Sequence, residues 1–233
     1  MFKNYVFSFF FFFGIIFISI IFLPSFFLPQ NIVIFGGKLM GYWTIFCLKF
    51  FLSTQILIKG TENVIKNEKF FIAASHQSMF ETFFLQTIFN SPIFILKKEL
   101  LSIPIFGWYL KKIGSVSIKR GKITRDNLGF FEAISKIAIN SNRPLIIFPQ
   151  GTRVLPNERP PFKKGVSKIY ELLNIACQPI AINSGNVWPK KGRKIPGKKI
   201  IVSIMPPIKK NLQKDEFLKN LENKIYSELD LIN

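Results

Sequence analysis

The chain has 233 residues, with 32 Lys and Arg against 13 Asp and Glu, one His and two Cys. This length suits one globular domain with an appended segment and excludes tandem catalytic domains. The net charge of +19 points to acidic partners, and the lone His and the two distant Cys argue against both a metal site and a disulfide framework.

The acidic partners compatible with that charge are anionic lipid headgroups, an acidic carrier protein and nucleic acid; a solubilising excess of Lys is the plainer reading. The chain opens on apolar sequence. No charged residue occurs from Asn4 to Gly37, and Tyr5 to Leu23 is an almost unbroken apolar run. That run matches the ~20 residues a membrane span requires. The 28 Phe are concentrated here, and mean hydropathy is +0.28. A cleavable signal peptide would have an apolar core of about 7–15 residues followed by a small-x-small cleavage site. Pro24-Ser25-Phe26-Phe27 follows instead, so the segment is read as retained.

A second apolar stretch, Leu39 to Leu52, is interrupted by Lys49 and is short for a span. It suits an interfacial or hairpin partner of the first helix. Residues 1–53 therefore form a membrane-associated helical segment, and the basic remainder favours the cytosolic side.

From residue 54 the pattern changes to short β-type runs: Gln55 to Lys59, Phe70 to Ala74, Ile93 to Leu96, Ser115 to Ile118, Leu145 to Phe148, Pro179 to Asn183 and Lys199 to Ile204. Helical stretches lie between or after them, near Phe80 to Phe89, Thr124 to Asn140, Val166 to Asn174 and Leu212 to Leu231. Strands alternating with helices predict an α/β domain with a layered mixed, mainly parallel sheet flanked by helices and preceded by the membrane helix or hairpin. A basic segment, Pro189 to Lys199, reads either as a docking loop for anionic lipid or an acidic carrier or as a solvated turn.

Two turns carry candidate chemistry. Ser75-His76-Gln77-Ser78-Met79-Phe80-Glu81 begins where an apolar strand ends and enters a helix. If the turn is tight, the Glu81 carboxylate folds back on the imidazole and holds one ring nitrogen as a donor. The other nitrogen is then free to act as a base toward a hydroxyl. The second turn, Pro149-Gln150-Gly151-Thr152-Arg153, pairs a Gly that permits close backbone approach with a guanidinium fork suited to phosphate. As an isolated pair, a His and a Glu five residues apart are as compatible with an exposed histidine as with a base.

His76-x4-Glu81 together with Phe148-Pro149-Gln150-Gly151-Thr152-Arg153 resembles the glycerolipid acyltransferases, most closely the bacterial 1-acyl-sn-glycerol-3-phosphate acyltransferases. Gly114-Ser115-Val116-Ser117-Ile118-Lys119-Arg120 is similar to the family's second block and Gln178-Pro179-Ile180-Ala181-Ile182-Asn183 to its fourth, and Phe162-Lys163-Lys164-Gly165-Val166 resembles the turn after the third. The resemblance spans about residues 54 to 208. Three residues depart from the usual pattern: Glu81 stands for Asp, Gln150 for Glu and Ser75 for Asn.

The resemblance implies that residues 54–233 are a catalytic domain transferring an acyl group from a thioester to the sn-2 hydroxyl of lysophosphatidate. His76 and Glu81 would be catalytic, and Lys119, Arg120, Gly151, Thr152 and Arg153 would bind substrate. Backbone N–H groups around Gly151 or after His76 would receive the oxyanion. No cofactor or metal is implied beyond acyl-CoA or acyl carrier protein as cosubstrate, and the expected partners are anionic membrane lipids rather than nucleic acid. The implied location is the cell inner membrane, with the catalytic domain on the cytoplasmic face. Other acceptors, glycerol-3-phosphate or another lyso-lipid, stay open, as does a non-catalytic, membrane-anchored basic module.

Overall fold

The structure, a computed structural model, describes residues 2–118 and 126–233, with side chains from 129 onward in the second stretch. Each of the seven β-type runs forms a strand: β1 (Gln55–Lys59), β2 (Phe70–Ala74), β3 (Ile93–Lys97), β4 (Val116–Ile118), β5 (Leu145–Ile147), β6 (Ala176–Ile182) and β7 (Lys199–Ile204). They make one sheet in the order β1-β7-β6-β2-β5-β3-β4, parallel throughout except between β6 and β7. The α/β expectation of a mixed, mainly parallel sheet flanked by helices is met.

The helices are α1 (Phe2–Ile21), α2 (Gln30–Leu52), α3 (Phe80–Ile88), α4 (Phe106–Lys112), α5 (Asp126–Asn140), α6 (Gly165–Leu173) and α7 (Lys214–Ile232). Successive strand side chains point to opposite faces, so each strand feeds two cores. Ile72 and Ala74 of β2 pack with α1, α2 and α3, whereas Phe71 and Ala73 pack with α5, α6 and α7. On that second face the Tyr170 and Phe217 rings stack at 3.8 Å between centroids.

Two sequence readings needed correction. The sequence places the start of β6 at Pro179. The strand instead starts at Ala176. The antiparallel ladder with β7 covers only Ile180 to Ile182, and the Pro179 carbonyl accepts from Met205 N, so the missing N–H lies just beyond that ladder. The second correction concerns α2, which runs 23 residues rather than the 14 of the apolar stretch from Leu39 to Leu52. Its glycines serve contact: a Cβ on Gly36 would lie 2.8 Å from Phe22, and one on Gly41 2.5 Å from the Phe83 carbonyl oxygen. Small residues thus let α2 close on its neighbours.

Helices α1 and α2 are long and apolar enough to cross a membrane. They form an antiparallel pair lying along one face of the domain and tied to it at both ends. At one end Asn4 exchanges two hydrogen bonds with the Lys194 backbone, at 2.9 and 2.6 Å, and Gly197 N donates to the Leu52 carbonyl. At the other, Lys112 Nζ donates to the Phe26 carbonyl and Gln30 Nε2 to the Lys112 carbonyl. The outer side exposes Phe9, Phe13, Phe17, Phe35, Tyr42 and Phe50. The basic loop is tied down at Lys194, whose Nζ donates to Ser8 Oγ at 2.8 Å and sits over the Phe7 and Trp188 rings, while Lys190, Lys191, Arg193, Lys198 and Lys199 are exposed. Burial lowers the pKa of Lys194.

Candidate active site

The parallel strands β2, β5 and β6 end at one edge of the sheet, the edge where α/β proteins assemble their sites. Three segments meet there: the turn after β2 with His76, the turn after β5 with Gly151 to Arg153, and Ser184 to Asn186 after β6.

The first two segments are stitched together through His76, whose N–H donates to Gln150 Oε1 at 2.9 Å and whose carbonyl accepts from Val154 N at 2.9 Å. Gln150 is 1% exposed, so the residue standing in place of the usual glutamate is a buried neutral clamp on the histidine backbone. Ser75 has a comparable function. Its buried hydroxyl accepts from Ile182 N at 2.7 Å and donates to the Ile182 carbonyl at 3.2 Å, joining the ends of β2 and β6. The imidazole of His76 stacks on Phe148, with centroids 4.1 Å apart.

Glu81 lies in the first turn of α3 and is fully buried. A carboxylate is favoured at a helix N-terminus, where N–H groups lack helical partners. Oε1 accepts from Gln77 N at 3.1 Å, from Ser78 N at 3.2 Å and from the Ser184 hydroxyl. Oε2 accepts from Ser78 N at 3.1 Å and lies 3.4 Å from His76 Nδ1. This last separation exceeds that of a well-formed hydrogen bond, and Nδ1 is buried without another partner, so the carboxylate faces the imidazole at ion-pair distance.

Beside His76 opens a cavity of about 420 Å³. Its wall is mostly apolar, including Val33 and Met40 of α2, Phe83 of α3, Leu96 of β3 and Leu110 of α4, and Thr152 and Arg153 join it near the histidine. Helix α4, unexpected from sequence, closes part of it. Arg153 is half-buried, and the ion pairs among the described residues, His76–Glu81, Lys97–Glu99 and Arg159–Asp230, leave it out. Gly151 has φ +72°, and a Cβ there would lie 3.2 Å from the Lys163 side chain, so two constraints favour glycine.

The structure brings His76, Glu81, Gly151, Thr152 and Arg153 to one place, while Lys119 and Arg120 lie outside the described residues. Three of the expected oxyanion donors already have partners. Gly151 N donates to the Phe148 carbonyl, and Gln77 N and Ser78 N donate to Glu81, so all three are engaged. Burial raises the Cys177 thiol well above its usual range, which removes it as a nucleophile. Among the described residues no group of three His, Cys, Asp or Glu could hold a metal ion.

Sequence reasoning missed Ser184. Its signal was the polar triplet Asn183-Ser184-Gly185 closing an apolar strand at the sheet edge that carries the other turns.

Comparison with known proteins fits this arrangement. A 1-acyl-sn-glycerol-3-phosphate acyltransferase of Pseudomonas aeruginosa is 33% identical over 147 residues, covering 60% of this chain and 54% of that protein. One from Helicobacter pylori is 36% identical over 125 residues, covering 52% of this chain and 51% of that protein. The chain thus spans about half the length of these curated relatives. The crystal structure of the 1-acyl-sn-glycerophosphate acyltransferase PlsC from Thermotoga maritima superposes with a TM-score of 0.80 at 20% identity, covering 99% of this chain and 97% of that one. It shares the fold. The Acyltransferase family model matches residues 55–183, from β1 through the turns bearing His76 and Arg153 to the end of β6, and with more than half its length so matched the chain belongs to the acyltransferase family.

Proposed function

We propose that this chain transfers a fatty acyl group from acyl-CoA or acyl carrier protein to the sn-2 hydroxyl of lysophosphatidate, forming phosphatidate. The observation that carries the reading is a buried carboxylate 3.4 Å from the imidazole at the mouth of an apolar cavity with Arg153 in its wall. The names of the bacterial relatives support the choice of acceptor.

With Glu81 facing Nδ1, the other ring nitrogen, Nε2, takes the acceptor's proton as the hydroxyl oxygen attacks the thioester carbonyl carbon. The new C–O bond forms, the C–S bond breaks, and the proton passes from the imidazolium to the leaving thiolate. Glu81 stabilises the imidazolium between these events. The acyl chain occupies the apolar cavity, and Thr152, which lines it, is the candidate backbone donor to the oxyanion. Arg153 holds the acceptor phosphate, since a guanidinium fixes both its charge and its orientation. Lys119 and Arg120, which follow β4 in sequence, are proposed to add charge to this phosphate site.

Incubating purified protein with labelled acyl donor and a panel of acceptors tests the reading. Phosphatidate is the expected product. Transfer only to glycerol-3-phosphate or another lyso-lipid would move the reading to that acceptor, and no transfer to any would overturn it. Arg153→Ala is expected to raise KM for the acceptor by about tenfold or more with kcat little changed. A fall confined to kcat would remove the binding role.

The proposed location is the cell inner membrane, with the domain on its cytoplasmic face. A full span would carry Lys112 and Arg143, both bonded near the α1–α2 turn, across the bilayer. The apolar outer face therefore favours helices lying within one leaflet, with anionic lipids as neighbours. Phe27 in that turn is 94% exposed. In Phe27→Cys, an impermeant maleimide applied from the periplasmic side is expected not to react. Labelling from that side would establish a span.

A further inference from the structure

We propose that Ser184 is a positioning residue for the general base, fixing the Glu81 carboxylate against His76 and compensating for the methylene by which glutamate exceeds aspartate. The proposal rests on His76 acting as the base.

Ser184 and Glu81 are 103 residues apart in sequence, and both are fully buried. The other donors to the carboxylate, Gln77 N and Ser78 N, belong to the same turn as His76 and shift with it. Ser184 reaches the carboxylate from a different strand, at the end of β6. Its own backbone is held, because its carbonyl accepts from Val187 N at 3.1 Å and from Trp188 N at 2.8 Å. The hydroxyl therefore starts from a fixed point on the sheet edge.

That fixity matters because the terminal torsion of a glutamate side chain is broad, and aspartate has one torsion fewer. Beyond the two backbone donors of its own turn, the Glu81 carboxylate has Ser184 as its anchor from outside that turn. Ser184 engages Oε1, which leaves Oε2 directed at Nδ1. A hydrogen bond to an ionised group is also stronger than one between neutral partners, so this hydroxyl holds its acceptor well. Ser184 touches neither substrate nor the reacting atoms in this scheme, and its effect passes through Glu81.

The test is a kinetic cycle on the full-length chain in detergent or nanodiscs, with acyl donor and lysophosphatidate. Ser184→Ala is expected to lower kcat about tenfold with both KM values unchanged and the thermal unfolding midpoint nearly so. In a Glu81→Asp background, expected to turn over more slowly than the parent but measurably, Ser184→Ala is expected to cost less than about twofold. A serine that merely packs would cost the same in both backgrounds. Unchanged kcat in Ser184→Ala, equal losses in both backgrounds, or a Glu81→Asp protein without turnover would each overturn the proposal. Near-normal turnover in His76→Ala would instead overturn the base assignment beneath it.

Discussion

His76→Ala is expected to lower kcat for acyl transfer by on the order of 10³-fold while leaving the protein folded and membrane-bound. The imidazole lines the cavity, and the sequence contains no second His to replace it. Structure should survive the change. The histidine's hydrogen bonds to Gln150 and Val154 use its backbone, and those bonds persist in alanine. The ring's contact with Phe148 is lost, a modest cost beside the stability of a domain. Steady-state rates of purified variant, with flotation on vesicles and thermal unfolding as controls, make the measurement. Near-normal turnover would refute the mechanism.

Glu81→Gln is expected to reduce kcat by about 10³-fold, through the imidazole's tautomer rather than through the fold. Both carboxylate oxygens accept from backbone N–H groups, and Oε1 also accepts from Ser184. A glutamine can satisfy most of these donors only by placing its oxygen at the Oε1 position. Its NH₂ then faces His76 Nδ1, which must become the acceptor, and the proton moves to Nε2. The ring thereby loses the lone pair aimed at the substrate hydroxyl. The same NH₂ also meets Ser78 N, donor against donor, so some loss of stability accompanies the loss of rate. A pH–rate profile separates the causes: a tautomer defect lowers the plateau, whereas a folding defect lowers the unfolding midpoint in proportion. Rates within about threefold of the parent enzyme would remove Glu81 from the mechanism.

The strands were legible because a layered α/β sheet buries short apolar runs bounded by turn residues, and that periodicity survives in one dimension. The exception is instructive. The reading of β6 from Pro179 onward is too short, and only the extent of the β7 ladder decides whether the proline's missing N–H costs a hydrogen bond. Helix α2 extends beyond its apolar stretch to Gln30, and at Gly36 and Gly41 glycine is what close packing demands.

The pair His76 and Glu81 could be named before the structure because their partnership is local, set by a turn of five residues. Arg153 could be named because guanidinium chemistry and its neighbouring glycine are visible as letters. The roles of two departures from the family pattern, Ser75 and Gln150, and of Ser184 could not be read the same way. These residues act on partners 74 to 107 positions away, bringing together turns that only the strand order makes adjacent. By itself, then, the sequence determined the fold class, the apolar character of the two N-terminal helices and the chemical identity of the candidate base. Tertiary structure alone decided how the base is held, because the sheet edge that gathers β2, β5 and β6 is a property of their pairing and not of any one segment.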